Sequence, residues 1–238
     1  MRTGTPFIGT SGFAYDEWRG SFYPLAIKAK EMLPFYSRRF SSVEINYTFR
    51  RLPSPKTLAS WREATPESFV FAVKAHQQIT HVLRLAGADD SVVKFLDALA
   101  PLGERTGPLL FQCPPGMKLD HARLESFLAL LQGNQRCVFE FRHPSWIQAR
   151  PLLESRGFGW CVTESDETGV SEDALTTGPF LYLRLRRTEY DDAQLARWAQ
   201  RIDDALENGR DVYCYFKHED AGKGVRFAEQ LRSALAAR

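Results

Sequence analysis

The chain has 238 residues, 44% of them hydrophobic, 25% charged and 13% aromatic. That apolar content is ample for a large core and excludes a disordered chain. With 31 Lys+Arg against 29 Asp+Glu, the balance removes any general electrostatic case for nucleic acid or an anionic membrane, leaving only local patches.

Residues 1–6 lead into a short apolar run broken at Gly9, so no secretory leader is read. No apolar stretch approaches the ~20 residues that span a bilayer. The four cysteines, Cys113, Cys137, Cys161 and Cys214, are widely spaced and lie in apolar segments. Reduced, buried thiols in a cytoplasmic protein are expected.

The predicted elements alternate along the chain. A β-rich run at 7–11 precedes a broad apolar helical face of Met32, Leu33, Phe35, Tyr36 and Phe40. Runs at 42–47 and 69–76 follow, then a helical stripe of Val92, Phe95, Leu96 and Leu99 that ends at Pro101. After the run at 108–113, Leu124, Phe127, Leu128 and Leu131 share one helix face. Runs at 137–142 and 157–163 come next, and 166–177 reads as mostly loop. The run at 180–185 precedes a helix carrying Leu195, Trp198, Ile202 and Leu206, with Asp191 or Asp192 as N-cap and Gly209 as the stop. The last run, 211–217, is followed by a stripe of Val225, Ala228, Leu231 and Leu235.

Parallel strands need long crossovers, so this alternation predicts a parallel sheet covered by helices. Eight such units without a linker predict a single (β/α)8 TIM barrel over residues 1–238, at about 30 residues per unit. A doubly wound nucleotide-binding sheet is disfavoured, because the first turn, Gly9-Thr10-Ser11-Gly12-Phe13, lacks G-x-G-x-x-G.

Alternation within the strands locates the chemistry. Glu44 and Asn46 share one face against Val43, Ile45 and Tyr47. Lys74 pairs with His76, Glu140 with Arg142, and Arg184 with Arg186 in the same manner, while Tyr213, Tyr215 and Lys217 alternate with Val212, Cys214 and Phe216. Gln112 and Glu164 occupy late positions in their runs. Helices cover the outside of a barrel, so the polar sets should point inward at the C-terminal strand ends, where barrel active sites form. Lys74, Arg142, Arg184, Arg186 and Lys217 then face Glu44, Glu140 and Glu164, a cationic surplus that suits a small anionic or sugar-like ligand. Asn46, His76, Gln112, His143 and Tyr215 would complete the substrate lining. Gly222, Lys223 and Gly224 at the start of the final helix offer a second anion-holding element. An internal Glu/Arg/Lys network that merely plugs the barrel is the structural alternative.

Glu44, His76, Glu140, His143, Glu164, Asp166 and His218 could donate to a metal, but no fixed-spacing motif is present, so neither metal nor cofactor is assigned. Tyr15, Trp18, Phe22, Tyr23 and Trp146 serve equally as ligand walls or as rim packing.

Several segments together resemble the family labelled domain of unknown function 72 (YecE-like). They are Ile8-Gly9-Thr10-Ser11-Gly12, Val43-Glu44-Ile45-Asn46-Tyr47-Thr48-Phe49, Phe71-Ala72-Val73-Lys74-Ala75 and Thr80-His81. Gly107-Pro108-Leu109-Leu110-Phe111-Gln112-Cys113-Pro114-Pro115, Glu140-Phe141-Arg142-His143-Pro144-Ser145-Trp146 and Tyr213-Cys214-Tyr215-Phe216-Lys217-His218-Glu219-Asp220 continue the match to the last strand. The resemblance implies a TIM barrel and a family without an established reaction, sometimes described as sugar-isomerase-related. Arg186-Arg187-Thr188 stands where many members carry R-x-H-G, and Lys217-His218 where many carry Asn-Asn.

The leading expectation is therefore an enzyme performing acid/base, isomerase-like chemistry, with Glu44 and Glu140 as acid/base groups and Lys74 as electrophile or second base. Metal-assisted phosphodiester hydrolysis and non-catalytic binding of an anionic ligand or nucleic acid are the alternatives.

Overall fold

The computed structural model describes residues 2–131, 136–170, 172–217 and 222–238. The strands are β1 (Pro6–Thr10), β2 (Ser42–Ile45), β3 (Val70–Lys74), β4 (Thr106–Gln112), β5 (Cys137–Glu140), β6 (Gly159–Glu164), β7 (Leu181–Leu185) and β8 (Val212–Phe216). The helices are α1 (Ala29–Ser37), α2 (Pro55–Glu63), α3 (Asp89–Leu99), α4 (His121–Ala129), α5 (Arg150–Ser155), α6 (Glu172–Leu175), α7 (Asp192–Glu207) and α8 (Lys223–Ala236).

All strand pairs are parallel, in the order β1-β8-β7-β6-β5-β4-β3-β2. The ring closes beyond β1, where Ser11 bridges Glu44 and the Gly12 N–H donates to the Glu44 carbonyl at 2.8 Å. The result is the (β/α)8 barrel that the alternation predicts.

Several expected strands end early. Residues 46–47, 75–76 and 141–142 already belong to the connections, because the chain must turn over the rim toward its helix. Tyr47–Phe49 forms a 3-10 turn for this purpose. Gly157, at φ +70°, instead terminates the segment after α5, so β6 begins at Gly159.

Two helices escape the periodicity. In α2 a single side chain, Leu58, is buried, so the apolar stripe is thin, although Ser54 caps the Thr57 N–H and Pro55 opens the helix. The short α5 continues a 3-10 segment at Pro144–Ala149. By contrast α7 matches its reading closely, with an Asp191/Gln194 capping box and Leu195, Trp198, Ile202 and Leu206 buried.

The outward faces of the strands and the inward faces of the helices form one continuous apolar shell. A separate cluster fills the barrel itself: Ala72, Leu110, Val138, Cys161, Phe180, Tyr182, Tyr213 and Tyr215. Phe7 stacks on Tyr213 at 4.7 Å between centroids, and Tyr182 lies 5.4 Å from Tyr215. All four cysteines are buried and unpaired, and burial pushes the Cys137 thiol up to about 12. Among the described residues no helix is long and apolar enough to cross a membrane.

Gly9 marks the tightest point of closure. A Cβ there would sit 2.1 Å from the Ser42 carbonyl oxygen and 2.7 Å from the Tyr36 hydroxyl. Gly9→Ala is expected to lose about 2–3 kcal/mol of stability through overpacking between β1 and β2. Urea denaturation of the two proteins measures this loss directly.

Candidate functional site

Above the tyrosine-rich filling, the last inward position of several strands is polar. Glu44 on β2, Lys74 on β3, Gln112 on β4, Glu140 on β5 and Arg184 on β7 converge there, joined by Ser11 from beyond β1. Strand parity accounts for the five strand residues: for each, the residue two positions earlier belongs to the apolar filling or, at Ser42, bonds to it.

Arg184 is the centre. Its Nη2 donates to Glu44 Oε1 at 2.9 Å and its Nη1 to Glu140 Oε2 at 2.6 Å. Glu44 Oε1 also accepts from Ser11 Oγ and Asn46 Nδ2, both at 2.8 Å, and Oε2 from the Tyr182 hydroxyl at 2.7 Å. Glu140 Oε2 accepts from Gln112 Nε2 at 2.8 Å, and Oε1 from Arg142 Nε at 3.1 Å. Gln112 passes the chain onward, its Oε1 accepting from Lys74 Nζ at 2.7 Å. The three central charges are sealed, with Glu44 fully buried and Glu140 and Arg184 at 2% exposure. Arg184 Nε is buried without a hydrogen-bond partner among the described residues.

Burial alone would raise both carboxyls. At Glu140 it is outweighed by Arg184 and Arg142, with the Gln112 donor, and the group falls to about 2. At Glu44 burial is likewise outweighed, by Arg184 and the Asn46, Tyr182 and Ser11 donors, and the group stays below the usual carboxylate range. Lys74 moves the other way. Its burial and the neighbouring Arg184 bring the ammonium down to about 8 despite the two glutamates. Its Nζ lies 4.2 Å from the ring centre of Phe49, a cation–π contact.

The rim opens into a cleft of about 640 Å³ between the ends of β5 and β6, lined by Glu140, Arg142, His143, Trp160, Cys161, Thr163 and Arg186 among others. Arg142 is exposed, its side chain at 40%. Arg186 makes no ion pair among the described residues, and its burial beside Arg184 lowers its affinity for a proton. Burial and the nearby Glu140 raise the Cys161 thiol well above its ordinary value, so this lining sulfur is not a thiolate nucleophile.

Other predicted positions lie elsewhere. Glu164 is out of phase with Cys161 and Thr163, so it faces outward and accepts from Trp198 Nε1 on α7 at 2.9 Å. Tyr215 sits one layer too deep to line the mouth; it is fully buried and bonded to Ser42 Oγ at 2.6 Å. His76 leaves the strand and ties two connections together through Arg50 O and the Gln78 N–H. His143 caps the 3-10 segment that follows it, accepting from Ser145 N, while still lining the cleft. Lys217 follows β8 half-buried, and its charge reaches Asp166. Lys223 pairs with Glu189 on the surface, so it does not aim at an anion over the mouth. Gly222 is needed for its backbone, at φ +79°, and Gly224 for close approach to the Lys217 carbonyl. His218, a metal-donor candidate, lies outside the described residues.

Sequence reasoning did not single out Ser11, Phe49, His81 or Tyr182 as site residues. Tyr182 carried the same parity signal as Arg184, whereas His81 lies on no strand. Among the described residues no three of His, Cys, Asp and Glu come together to hold a metal ion. Between Glu44 and Glu140 the space is filled by Arg184.

Removing Arg184 tests this electrostatic reading. Arg184→Met is expected to cost about 3–5 kcal/mol at neutral pH, because two buried carboxylates lose their shared cation. The pH slopes should oppose one another. In the wild type, Glu140 contributes stability that is complete above its ordinary 4.5 and is lost as pH falls toward 2. In the variant Glu44 loses its paired cation and its carboxyl rises, so stability should increase as pH falls from 7 to 5. Denaturation midpoints followed from pH 7 down to 2 report both slopes, the variant's above 5 and the wild type's below 4.5.

YunF, a UPF0759 protein of Bacillus subtilis (strain 168), is 23% identical over 268 residues, covering 96% of this chain and 94% of YunF. YecE, a UPF0759 protein of Escherichia coli (strain K12), is 33% identical over 142 residues, covering 59% of this chain and 50% of YecE. A crystal structure of a DUF72 family protein from Thermotoga maritima MSB8 superposes with a TM-score of 0.85 at 25% identity, covering 98% of this chain and 99% of that one. The family model described as "Protein of unknown function DUF72" matches residues 7–238. From its first strand to its last residue, the chain belongs to the DUF72 family.

Proposed function

We propose that the barrel mouth binds a small anionic, sugar-like molecule and moves a proton on it, an isomerase-like reaction. The carrying observation is the charge imbalance over the sealed network. Glu44 and Glu140 are opposed by Lys74, Arg142, Arg184 and Arg186, and Arg142 and Arg186 line an open cleft. Glu167 also lines that cleft, so one positive charge remains in excess; it and the partly shielded arginines favour a phosphate or carboxylate there.

The acid/base role is best assigned to Lys74. Glu44 and Glu140 are saturated with donors and remain ionised far below neutral pH, so they are weak bases and serve to place the arginines. Lys74 is half-buried at the rim, carries a proton until about pH 8, and would polarise a carbonyl oxygen as negative charge develops on it.

Inorganic phosphate and ribose 5-phosphate should therefore raise the melting temperature of the wild type. The joint variant Arg142→Ala/Arg186→Ala should lose that response. Exchange of the sugar phosphate C2 proton into D2O should weaken as pH rises through about 8, where the ammonium is lost. It should drop at least ~100-fold in Lys74→Met. A wild type whose melting is indifferent to every such anion would sink this assignment.

A further inference from the structure

The connection after β3 is built unlike the others. It contains a π-helical turn, Gln78–Val82, followed by Arg84 and Leu85 at φ +50° and +68°. These two are the positive-φ residues other than glycine among the described chain. A π turn and a left-handed leucine are both unfavourable, and such features persist where the surroundings hold a side chain in a required place. Leu85 is buried in the outer shell, and Thr80, within the π turn, is buried at 1% exposure.

The side chain held there is His81. Its Nδ1 shares a hydrogen bond with Thr80 Oγ1 at 2.9 Å, which fixes the ring and leaves Nε2 without a hydrogen bond among the described residues. The ring meets Phe49 edge-on, with centroids 4.8 Å apart. Lys74 Nζ lies over the same Phe49 ring. Phe49 is itself anchored to the end of β3, because Thr48 Oγ1 donates to the Lys74 carbonyl at 2.7 Å. His81 and Lys74 are thus held against one aromatic ring.

We propose that His81 is the second proton-handling group of the mouth, working with Lys74 on a substrate seated beside Phe49. The inference rests on the anion-binding, proton-transfer reading above and supplies the base which that reading lacks. His81 Nε2 would take the proton from the carbon next to the substrate carbonyl. The C–H pair becomes the enediol double bond, and the carbonyl oxygen takes a proton from Lys74. Lys74 then recovers a proton from the neighbouring hydroxyl, and His81 returns its own to the former carbonyl carbon. Both groups end as they began, and no oxidant or reductant is needed.

The charges facing His81 suit a neutral base. Its burial, Lys74 on β3, Arg142 beyond β5 and Arg84 on its own connection all disfavour the imidazolium. The neighbouring ammonium and the imidazole are therefore set to opposite protonation states near neutral pH, the arrangement that divides acid from base.

Long-range 1H–15N spectra of the histidine rings, read with C2-proton exchange of ribose 5-phosphate, test the pairing. His81 should titrate below the ordinary histidine range in the wild type and at higher pH in Lys74→Met, where a neighbouring cation is gone. His81→Asn should cut exchange about 100-fold while inorganic phosphate still raises its melting temperature as in the wild type. An unchanged His81 titration in Lys74→Met, or wild-type exchange in His81→Asn, overturns the proposal while leaving the anion site standing. Absence of any phosphate response in the wild type overturns the underlying reading, and this proposal with it.

Discussion

Two carboxylates cannot be sealed inside a barrel without a cation between them, and Arg184 is that cation. Its planar guanidinium reaches Glu44 with one terminal nitrogen and Glu140 with the other, a fork that a lysine ammonium does not reproduce. The cost of burying three charges is offset by the remaining donors, Ser11, Asn46, Tyr182 and Gln112, which occupy the carboxylate lone pairs. Once this network exists, it sets what lies below and above it.

Below it, the barrel is filled with tyrosines rather than aliphatic residues alone, because each hydroxyl has a polar destination. Tyr182 reaches Glu44, Tyr215 reaches Ser42, and Tyr213 accepts from Arg136 at 3.0 Å. Above it, every cation that is added feels Arg184 as well as the glutamates. Lys74 and Arg186 both hold their protons less tightly for that reason, after burial itself. The network is an electrostatic floor, and the less buried cations Lys74, Arg142 and Arg186 stand at its edge. Saturated, buried charges hold geometry; the half-buried ones are those to which the proposed chemistry is assigned.

The legibility of the site follows the same division. Glu44, Lys74, Gln112, Glu140 and Arg184 were readable because side-chain parity is a local property of a strand, and one polar residue among apolar neighbours reveals its face. Glu164 and Tyr215 were misplaced for different reasons. At Glu164 the phase of β6 is set by where the strand starts, and at Tyr215 parity gives the face without the depth. Lys223 went to Glu189 because a long, flexible side chain can follow a carboxylate on another connection and not the pattern of its helix. His81 entered the sequence reading only within the Thr80-His81 segment of the family resemblance, since a π turn has no face that a periodicity can predict.

From the sequence alone came the eight strand–helix units and the inward direction of Glu44, Lys74, Gln112, Glu140 and Arg184, both of which depend on spacing along the chain. Only the tertiary structure decided which charges neutralise one another. Parity places Glu44 and Glu140 inside but says nothing of the 2.6–2.9 Å contacts through which Arg184 claims both. It was likewise the fold that set Lys74 and His81 against one phenylalanine ring, joining connections that are remote in sequence. Ionisation depends on burial and on neighbours across the barrel, and those exist only once the ring has closed.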